Sequence, residues 1–143
     1  MKVGLDIHGV IDLYPHLFAR LSKAMRREGH EIHIITGQEW DKVERKVRDA
    51  GVQYDEHFSI VDHLKKAGTK MWEDDKGTWW IDDNIWFGSK GLYIQANKID
   101  IHFDDNYEYA EYCPDSCTFV LVPKNNFDIG FVKFLYTAGQ VQL

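Results

Sequence analysis

The first fifty residues alternate short apolar runs with stretches of helical periodicity, and this alternation limits the folds open to the chain. Residues 2–7 and 31–36 are predicted to be strands. A helix with apolar residues at helical spacing separates them and ends at Gly29, with Asp12 expected to cap it and Pro15 in its first turn. A second helix covers roughly 38–50 and ends at Gly51. Strands that alternate with helices in this way pair in parallel through right-handed crossovers. The pattern predicts an α/β fold with a mainly parallel central sheet.

The remaining sequence predicts further elements of the same kind. A short strand within 52–60 and a short helix over 60–67 are followed by a β-hairpin near 70–81, around the turn signal Asp74-Asp75-Lys76-Gly77. A helix is expected after Asp82 and Asp83, which suit its N-terminus as capping residues. Then come a strand over 99–103, a short helix over 106–112, a last strand over 118–122, and a C-terminal helix that carries Phe127, Phe131, Phe134 and Leu135. We expect one domain over 1–143.

The composition of the chain limits the classes of function that it can have. With 143 residues, 44% of them hydrophobic, the chain is long enough to bury a sizeable core. The formal charge of −6 argues against a nucleic-acid polymer as the main partner, although it allows a small phosphorylated ligand. Neither a signal peptide nor an apolar run of membrane-spanning length is found, which favours a cytoplasmic protein without a membrane partner. Cys113 and Cys117 are interpreted as reduced thiols. The oligomeric state is not indicated.

Polar side chains fall at the predicted carboxyl ends of three strands. Asp6 ends the first strand, Thr36 the second, and Asp104 and Asp105 the strand over 99–103. Parallel strands present these ends at one edge of the sheet, where ligands collect. Carboxylates that share a crevice need a cation to stay ionised, and a hard oxygen site with few protein ligands suits Mg²⁺.

Lys90 completes a set of groups suited to phosphoryl transfer. It lies early in a helix that runs antiparallel to the strands, so its ammonium reaches the same edge. There it would pair with Asp6 and with a bound phosphate, to which Thr36 and the backbone N–H of Gly37 would also donate. In such a site a carboxylate attacks phosphorus in line, cationic and hydroxyl groups stabilise the equatorial oxygens, and water cleaves the intermediate.

These residues resemble the four motifs of the haloacid dehalogenase superfamily, and in particular its small phosphatases and deoxynucleotidase-like members. The motifs occur in the family's order, as Asp6-Ile7-His8-Gly9-Val10, Ile32 to Thr36 followed by Gly37, Lys90, and Ile101-His102-Phe103-Asp104-Asp105. The resemblance implies a Rossmann-like three-layer fold and an aspartyl-phosphate on Asp6. It also implies Mg²⁺ held by Asp6, the backbone carbonyl of His8, and either Asp104 or Asp105, with Asp104 favoured. A cap domain has no room between the first two motifs, and the hairpin near 70–81 resembles a minimal substitute.

One position departs from the family's pattern. Most of its phosphatases place a second Asp two residues after the nucleophile as general acid and base, and this chain has His8 there. Three interpretations stay open: imidazole takes over the role, activity is slow or restricted to good leaving groups, or the protein binds a phosphorylated ligand or a partner without turnover. The predicted function is therefore a Mg²⁺-dependent phosphohydrolase of small phosphomonoesters, nucleotides among them. The alternative is a catalytically impaired binding protein on the same fold.

Two further groups of residues allow more than one interpretation. His102, inside a strand, is interpreted as structural, and the other histidines show no metal-ligand spacing. The tryptophans around the hairpin are expected to pack mainly against the body of the protein. If one of them stacks on a ligand ring, Trp72 or Trp80 is the better candidate.

Overall fold

The computed structural model describes residues 1–124, and the predicted C-terminal helix therefore lies outside the described residues. The four α-helices, α1 to α4 in chain order, are Pro15–Arg27, Trp40–Ala50, Ile60–Lys66 and Asp83–Asn97. A 3₁₀ helix covers Tyr107–Tyr112. The strands are β1 to β7: Lys2–Leu5, Glu31–Thr36, Glu56–Ser59, Trp72–Glu73, Trp79–Trp80, Ile101–Asp104 and Thr118–Leu121.

Five of these strands form one parallel sheet in the order β3-β2-β1-β6-β7. The central strand β1 pairs with β2, with Leu5 opposite Ile34, and with β6, with Leu5 opposite Phe103. The short strands β4 and β5 pair separately as an antiparallel hairpin. The predicted α/β class, the mainly parallel sheet and the hairpin are all confirmed.

Helices cover both faces of the sheet. Alternate residues of the strands accordingly belong to two different apolar clusters. Ile32 and Ile34 of β2 pack in one cluster with buried residues of α1 and α2. Ile35 of the same strand packs in the other, with Leu64 of α3 and Ile94 of α4. The chain turns back across the sheet after β3, so α4 returns on the opposite face from α1 and α2. This reversal leaves a crevice at the carboxyl ends of the two strands that flank it.

The segment after β1 differs from the sequence prediction. Strand β1 ends at Leu5, and Ile7–Ile11 form a wide turn in which Gly9 has a φ of 72°. Asp12 was expected to cap α1, but its carboxylate instead accepts the N–H of Gly9 at 2.8 Å, and α1 begins without a side-chain cap. Pro15 stands in the first turn of α1 as predicted. The prediction for Asp12 was wrong because a local turn competes for the same carboxylate.

Other local predictions are confirmed. Asp82 caps α4 by accepting the N–H of Asn84 at 3.0 Å, and Gly51 ends α2 in the left-handed conformation. Cys113 and Cys117 are both free thiols. Within residues 1–124, none of the helices combines the length and the apolar character needed to cross a bilayer.

Candidate functional site

Three carboxylates meet at the carboxyl edge of the sheet. Asp6 follows β1 and continues the pairing with β6, because its N–H donates to the carbonyl of Phe103 at 3.0 Å. Asp104 ends β6, and Asp105 follows it. Each residue of this trio has a carboxylate oxygen within 4.8 Å of the others. Gly9 makes the approach of Asp105 possible, since a Cβ at that position would overlap the Asp105 carboxylate.

Lys90 of α4 lies against two of these carboxylates. Its Nζ is 2.7 Å from Oδ2 of Asp104 and 3.1 Å from Oδ1 of Asp6, and the side chain is only 1% exposed. The predicted ion pair between Lys90 and Asp6 is therefore present, and Lys90 forms a second ion pair with Asp104. A buried ammonium between two buried carboxylates offsets part of the cost of removing all three from water.

The two carboxylates beside Lys90 differ in their affinity for a proton. Burial raises the pKa of Asp6 to about 7, with Lys90 opposing and Asp104 adding to the rise. Burial acts on Asp104 too, but Lys90 and the hydrogen bond from His102 outweigh it and lower its pKa to about 2. Burial and the charge of Asp104 raise the pKa of Asp105. The trio therefore holds more negative charge than Lys90 neutralises, and it can accept a further cation.

His102 orients Asp104 from behind. Its Nε2 is 3.1 Å from Oδ2 of Asp104, and because an ionised carboxylate only accepts, Nε2 carries the proton. Burial lowers the pKa of His102, which keeps the ring neutral. Its Nδ1 faces the backbone of Gly4, where any Cβ would collide with the ring. His102 is thus a structural residue, as predicted, and it also orients Asp104, which is a candidate metal ligand.

Thr36 and Gly37 lie at the same edge, one strand away. Thr36 is fully buried at the end of β2, and its hydroxyl accepts the N–H of Gln38 at 3.4 Å. Among the described contacts, none joins Thr36 directly to Asp6 or Lys90. The indole of Trp86 covers Gly37, where a Cβ would lie 2.9 Å from the ring. The structure thus places Thr36 at the predicted edge, whereas Asp6, Lys90, Asp104 and Asp105 form the compact cluster.

His8 projects from the turn after β1 toward α2. Its Nε2 is 3.2 Å from Nζ of Lys46, which also lies 3.9 Å from the carboxylate of Asp12. Burial and then the charge of Lys46 lower the pKa of His8. Since an ammonium only donates, Nε2 acts as an acceptor in this arrangement. The His8 side chain therefore has one nitrogen already engaged.

An aromatic pair connects Lys90 with Gly37. The ring of Tyr109 lies 4.1 Å from Nζ of Lys90, and its hydroxyl accepts the indole N–H of Trp86 at 2.9 Å. Sequence reasoning missed Tyr109 and Lys46, because neither belongs to a motif and their partners, Lys90 and His8, lie on other elements 19 and 38 residues away. The only signal for Tyr109 was an aromatic residue five positions after Asp104.

The hairpin is attached beside the loop that follows Thr36. The indole N–H of Trp79 points to Glu39 at 3.5 Å, and Nζ of Lys65 lies 4.4 Å from the ring centroid of Trp79. Trp72 and Trp80 stack on each other with ring centroids 5.6 Å apart and remain 60% and 49% exposed. Trp79 packs as expected, while a ligand-stacking role for Trp72 or Trp80 stays a prediction.

The donor set fits a hard divalent cation. All three side chains of the trio offer oxygen, and the described side-chain nitrogens in contact with them belong to Lys90 and His102. The backbone N–H of Asn106 also donates to Asp104, at 3.0 Å. Oxygen-only donors suit Mg²⁺ and exclude a soft thiolate site.

Comparison with known proteins adds no relationship, since no protein-family model matches the chain and a search of curated proteins found no match.

Proposed function

We propose that this protein is a Mg²⁺-dependent phosphohydrolase of the haloacid dehalogenase type, acting on a small phosphomonoester such as a nucleotide. One observation carries the proposal: the ammonium of Lys90 is buried between Asp6 and Asp104 at the carboxyl edge of a parallel sheet, with Asp105 beside them. A nucleophilic carboxylate, a fixed cation and a free set of oxygen ligands are the groups that phosphoryl transfer requires.

Asp6 is the nucleophile in this proposal. Its carboxylate attacks phosphorus in line, the P–O bond to the leaving alcohol breaks, and an aspartyl-phosphate forms. Lys90 stabilises the charge on the equatorial oxygens, with help from Thr36 and the N–H of Gly37. In this proposal, His8 protonates the leaving oxygen and deprotonates the attacking water. Water then attacks the acyl phosphate, which releases inorganic phosphate and restores the Asp6 carboxylate.

Asp6, Asp104, Asp105 and the main-chain carbonyl of His8 would hold Mg²⁺. When bound, Mg²⁺ supplies positive charge beside the phosphoryl oxygens. His102 keeps the Asp104 carboxylate oriented through its 3.1 Å hydrogen bond. Asp104 is the better candidate for the direct ligand, because it is fully buried at the strand end and oriented by Lys90, His102 and the N–H of Asn106, whereas Asp105 is partly exposed.

The contact between His8 and Lys46 favours a second candidate function. With Nε2 accepting from Lys46 at 3.2 Å, that nitrogen has no proton to give to a leaving group. A protein with this arrangement would bind a phosphorylated ligand, or form the aspartyl-phosphate slowly, without efficient turnover. General acid and base catalysis contributes roughly 10²–10⁴-fold, so its loss would leave a weak enzyme on an intact binding site.

Hydrolysis of 4-nitrophenyl phosphate with and without Mg²⁺ separates the two functions. We expect metal-dependent turnover in the wild type and its loss in Asp6→Asn. Asp115→Asn is the matched control, because Asp115 is exposed in the loop that precedes β7, at the opposite edge of the sheet. His8→Asp reports how well the imidazole performs.

Three outcomes are informative. Turnover that survives Asp6→Asn would exclude Asp6 as the nucleophile and overturn the proposal. Turnover only in His8→Asp would favour the binding function over the hydrolase. If all variants are silent, calorimetry with Mg²⁺ and inorganic phosphate distinguishes a binding protein from one without a site at this edge.

A further inference from the structure

The ammonium of Lys90 has three N–H groups, and the described structure accounts for each of them. Two point to carboxylates, Asp104 at 2.7 Å and Asp6 at 3.1 Å. The third side of the ammonium faces the ring of Tyr109, with 4.1 Å between Nζ and the ring centroid. A tyrosine ring is negative on its face and attracts a cation placed above it. Because Lys90 is 1% exposed, water does not weaken this attraction.

Tyr109 is itself held in place from two sides. Its hydroxyl accepts the indole N–H of Trp86 at 2.9 Å, and Phe87 meets its ring edge to face with centroids 5.0 Å apart. Trp86 in turn covers Gly37. The ring that faces Lys90 is thus linked to the loop at the end of β2, the other side of the proposed phosphate site.

Given the phosphoryl transfer proposed above, we infer that Tyr109 is a positioning residue that fixes the ammonium of Lys90 for the transition state. Two carboxylates alone allow the ammonium to swing about the line that joins them. The ring of Tyr109 limits that swing, so Nζ stays on the side where the equatorial oxygens develop charge. A loss of position at this cation lowers kcat, whereas contacts elsewhere on the substrate keep KM nearly constant.

Substitution of the ring tests this role. We expect Tyr109→Leu to lower kcat for 4-nitrophenyl phosphate about 3- to 30-fold, with KM changed less than about twofold. Tyr109→Phe keeps the face of the ring and should lose clearly less. Tyr107→Leu is the matched control, because Tyr107 lies in the same 3₁₀ helix but is 66% exposed. Equal kcat values in Tyr109→Leu and the wild type would overturn the inference, as would an equal loss in Tyr109→Phe and Tyr109→Leu.

A second series keeps the test valid if Tyr109→Leu does not fold. Phenylalanine analogues with one, two and three ring fluorines at position 109 keep the shape of the ring while they weaken the negative face. We expect kcat to fall with each fluorine. A purely structural role of the ring would leave kcat constant along the series, and that result would overturn the inference.

Orthovanadate separates this inference from the proposed function. If the wild type turns nothing over but binds orthovanadate with Mg²⁺ in calorimetry, the hydrolase proposal fails while the role of Tyr109 is still measured. The affinity should then fall about 3- to 30-fold in Tyr109→Leu and stay constant in Tyr107→Leu. An unchanged affinity in Tyr109→Leu, or no binding of orthovanadate by the wild type, would overturn the inference.

Discussion

At the scale of single residues, the structure concentrates buried charge at one point. Lys90, Asp6 and Asp104 are all nearly excluded from water, and two negative charges face one positive charge. Such a group of ions contributes little net stability as a whole, but removal of one partner leaves the others buried without compensation. Lys90 is therefore a structural requirement of the cluster as well as a candidate catalytic group.

Replacement of Lys90 tests this dependence. We expect Lys90→Met to lower the free energy of unfolding by about 3–5 kcal/mol, because two buried carboxylates lose their cation. Adding Asp104→Asn to Lys90→Met should recover part of the loss. Urea unfolding at pH 7 measures both, with Lys23→Met, an exposed lysine of α1, as the control. A loss below about 1 kcal/mol in Lys90→Met would contradict the description of a closed ion cluster.

At the scale of elements, one buried carboxylate connects the hairpin formed by β4 and β5 with two helices. Glu39, whose side chain is 9% exposed, contacts the ammonium groups of Lys42 on α2 and Lys65 on α3 as well as the indole of Trp79 on the hairpin. Burial acts to raise the pKa of Glu39, but these three partners lower it. Glu39 thus joins the loop after Thr36 to the hairpin, which forms a separate two-stranded sheet.

Glu39→Ala should loosen the hairpin more than the sheet. The substitution leaves the N–H of Trp79 and the ammonium of Lys65 without this acceptor and leaves Lys42 with Glu73 alone, at a cost of about 1–3 kcal/mol. Hydrogen exchange of the Asp74 amide, which bonds across the hairpin to Thr78 at 2.9 Å, should quicken about tenfold while the β2 amides change little. Glu44→Ala, at a half-exposed position of α2 away from the hairpin, is the control. Equal acceleration in β2 and in the hairpin would show that Glu39 acts on global stability instead.

The elements were largely predictable from the sequence, whereas the contacts between their side chains were not. Gly51 and Asp82 end or begin helices through local chemistry, so their neighbours in sequence were enough to predict them. The prediction for Asp12 was wrong because its carboxylate can accept either from the first turn of α1 or from the N–H of Gly9. The sequence alone does not show which of these hydrogen bonds is the more stable. Lys46 and Tyr109 could not be found, since their contacts with His8 and Lys90 depend on side-chain directions set by packing between distant elements.

At the scale of the whole molecule, the response to acid depends on carboxylates that join layers. Asp55 accepts the N–H of Ile32 at 2.8 Å and the guanidinium of Arg26 at 2.9 Å, which connects α1 with the sheet. Burial acts to raise the pKa of Asp55, but these two partners outweigh it and lower the pKa below the usual range of an aspartate. A lowered folded-state pKa means that the stability from Asp55 is complete above the unfolded-state pKa. That stability is lost as the pH falls through the folded-state value.

Asp55→Ala should therefore be costly at neutral pH and less so in acid. At pH 7 we expect a loss of about 1–3 kcal/mol in the free energy of unfolding, because the N–H of Ile32 loses its acceptor. The difference from wild type should shrink as the pH falls below about 4, which urea unfolding from pH 7 to pH 2 would measure. Asp49→Ala, from the exposed pair of Arg45 and Asp49, should cost less than about 1 kcal/mol at any pH. A pH-independent loss in Asp55→Ala would contradict the lowered pKa.

The central place of β1 has a consequence for how the protein is made. Leu5 pairs with Ile34 on one side, but its partner on the other side is Phe103. At the roughly 5–20 residues per second of translation, a ribosome needs roughly 5–20 s to pass from Leu5 to Phe103. During that interval β1, β2 and β3 can associate with one flank of β1 unpaired, and Asp6 is present without Asp104 and, for most of the time, without Lys90. The pairing of β6 with β1 therefore brings Asp104 to Asp6 at the same time as it fills the open flank of β1. A nascent chain that lacks β6 has neither the complete sheet nor the charged cluster.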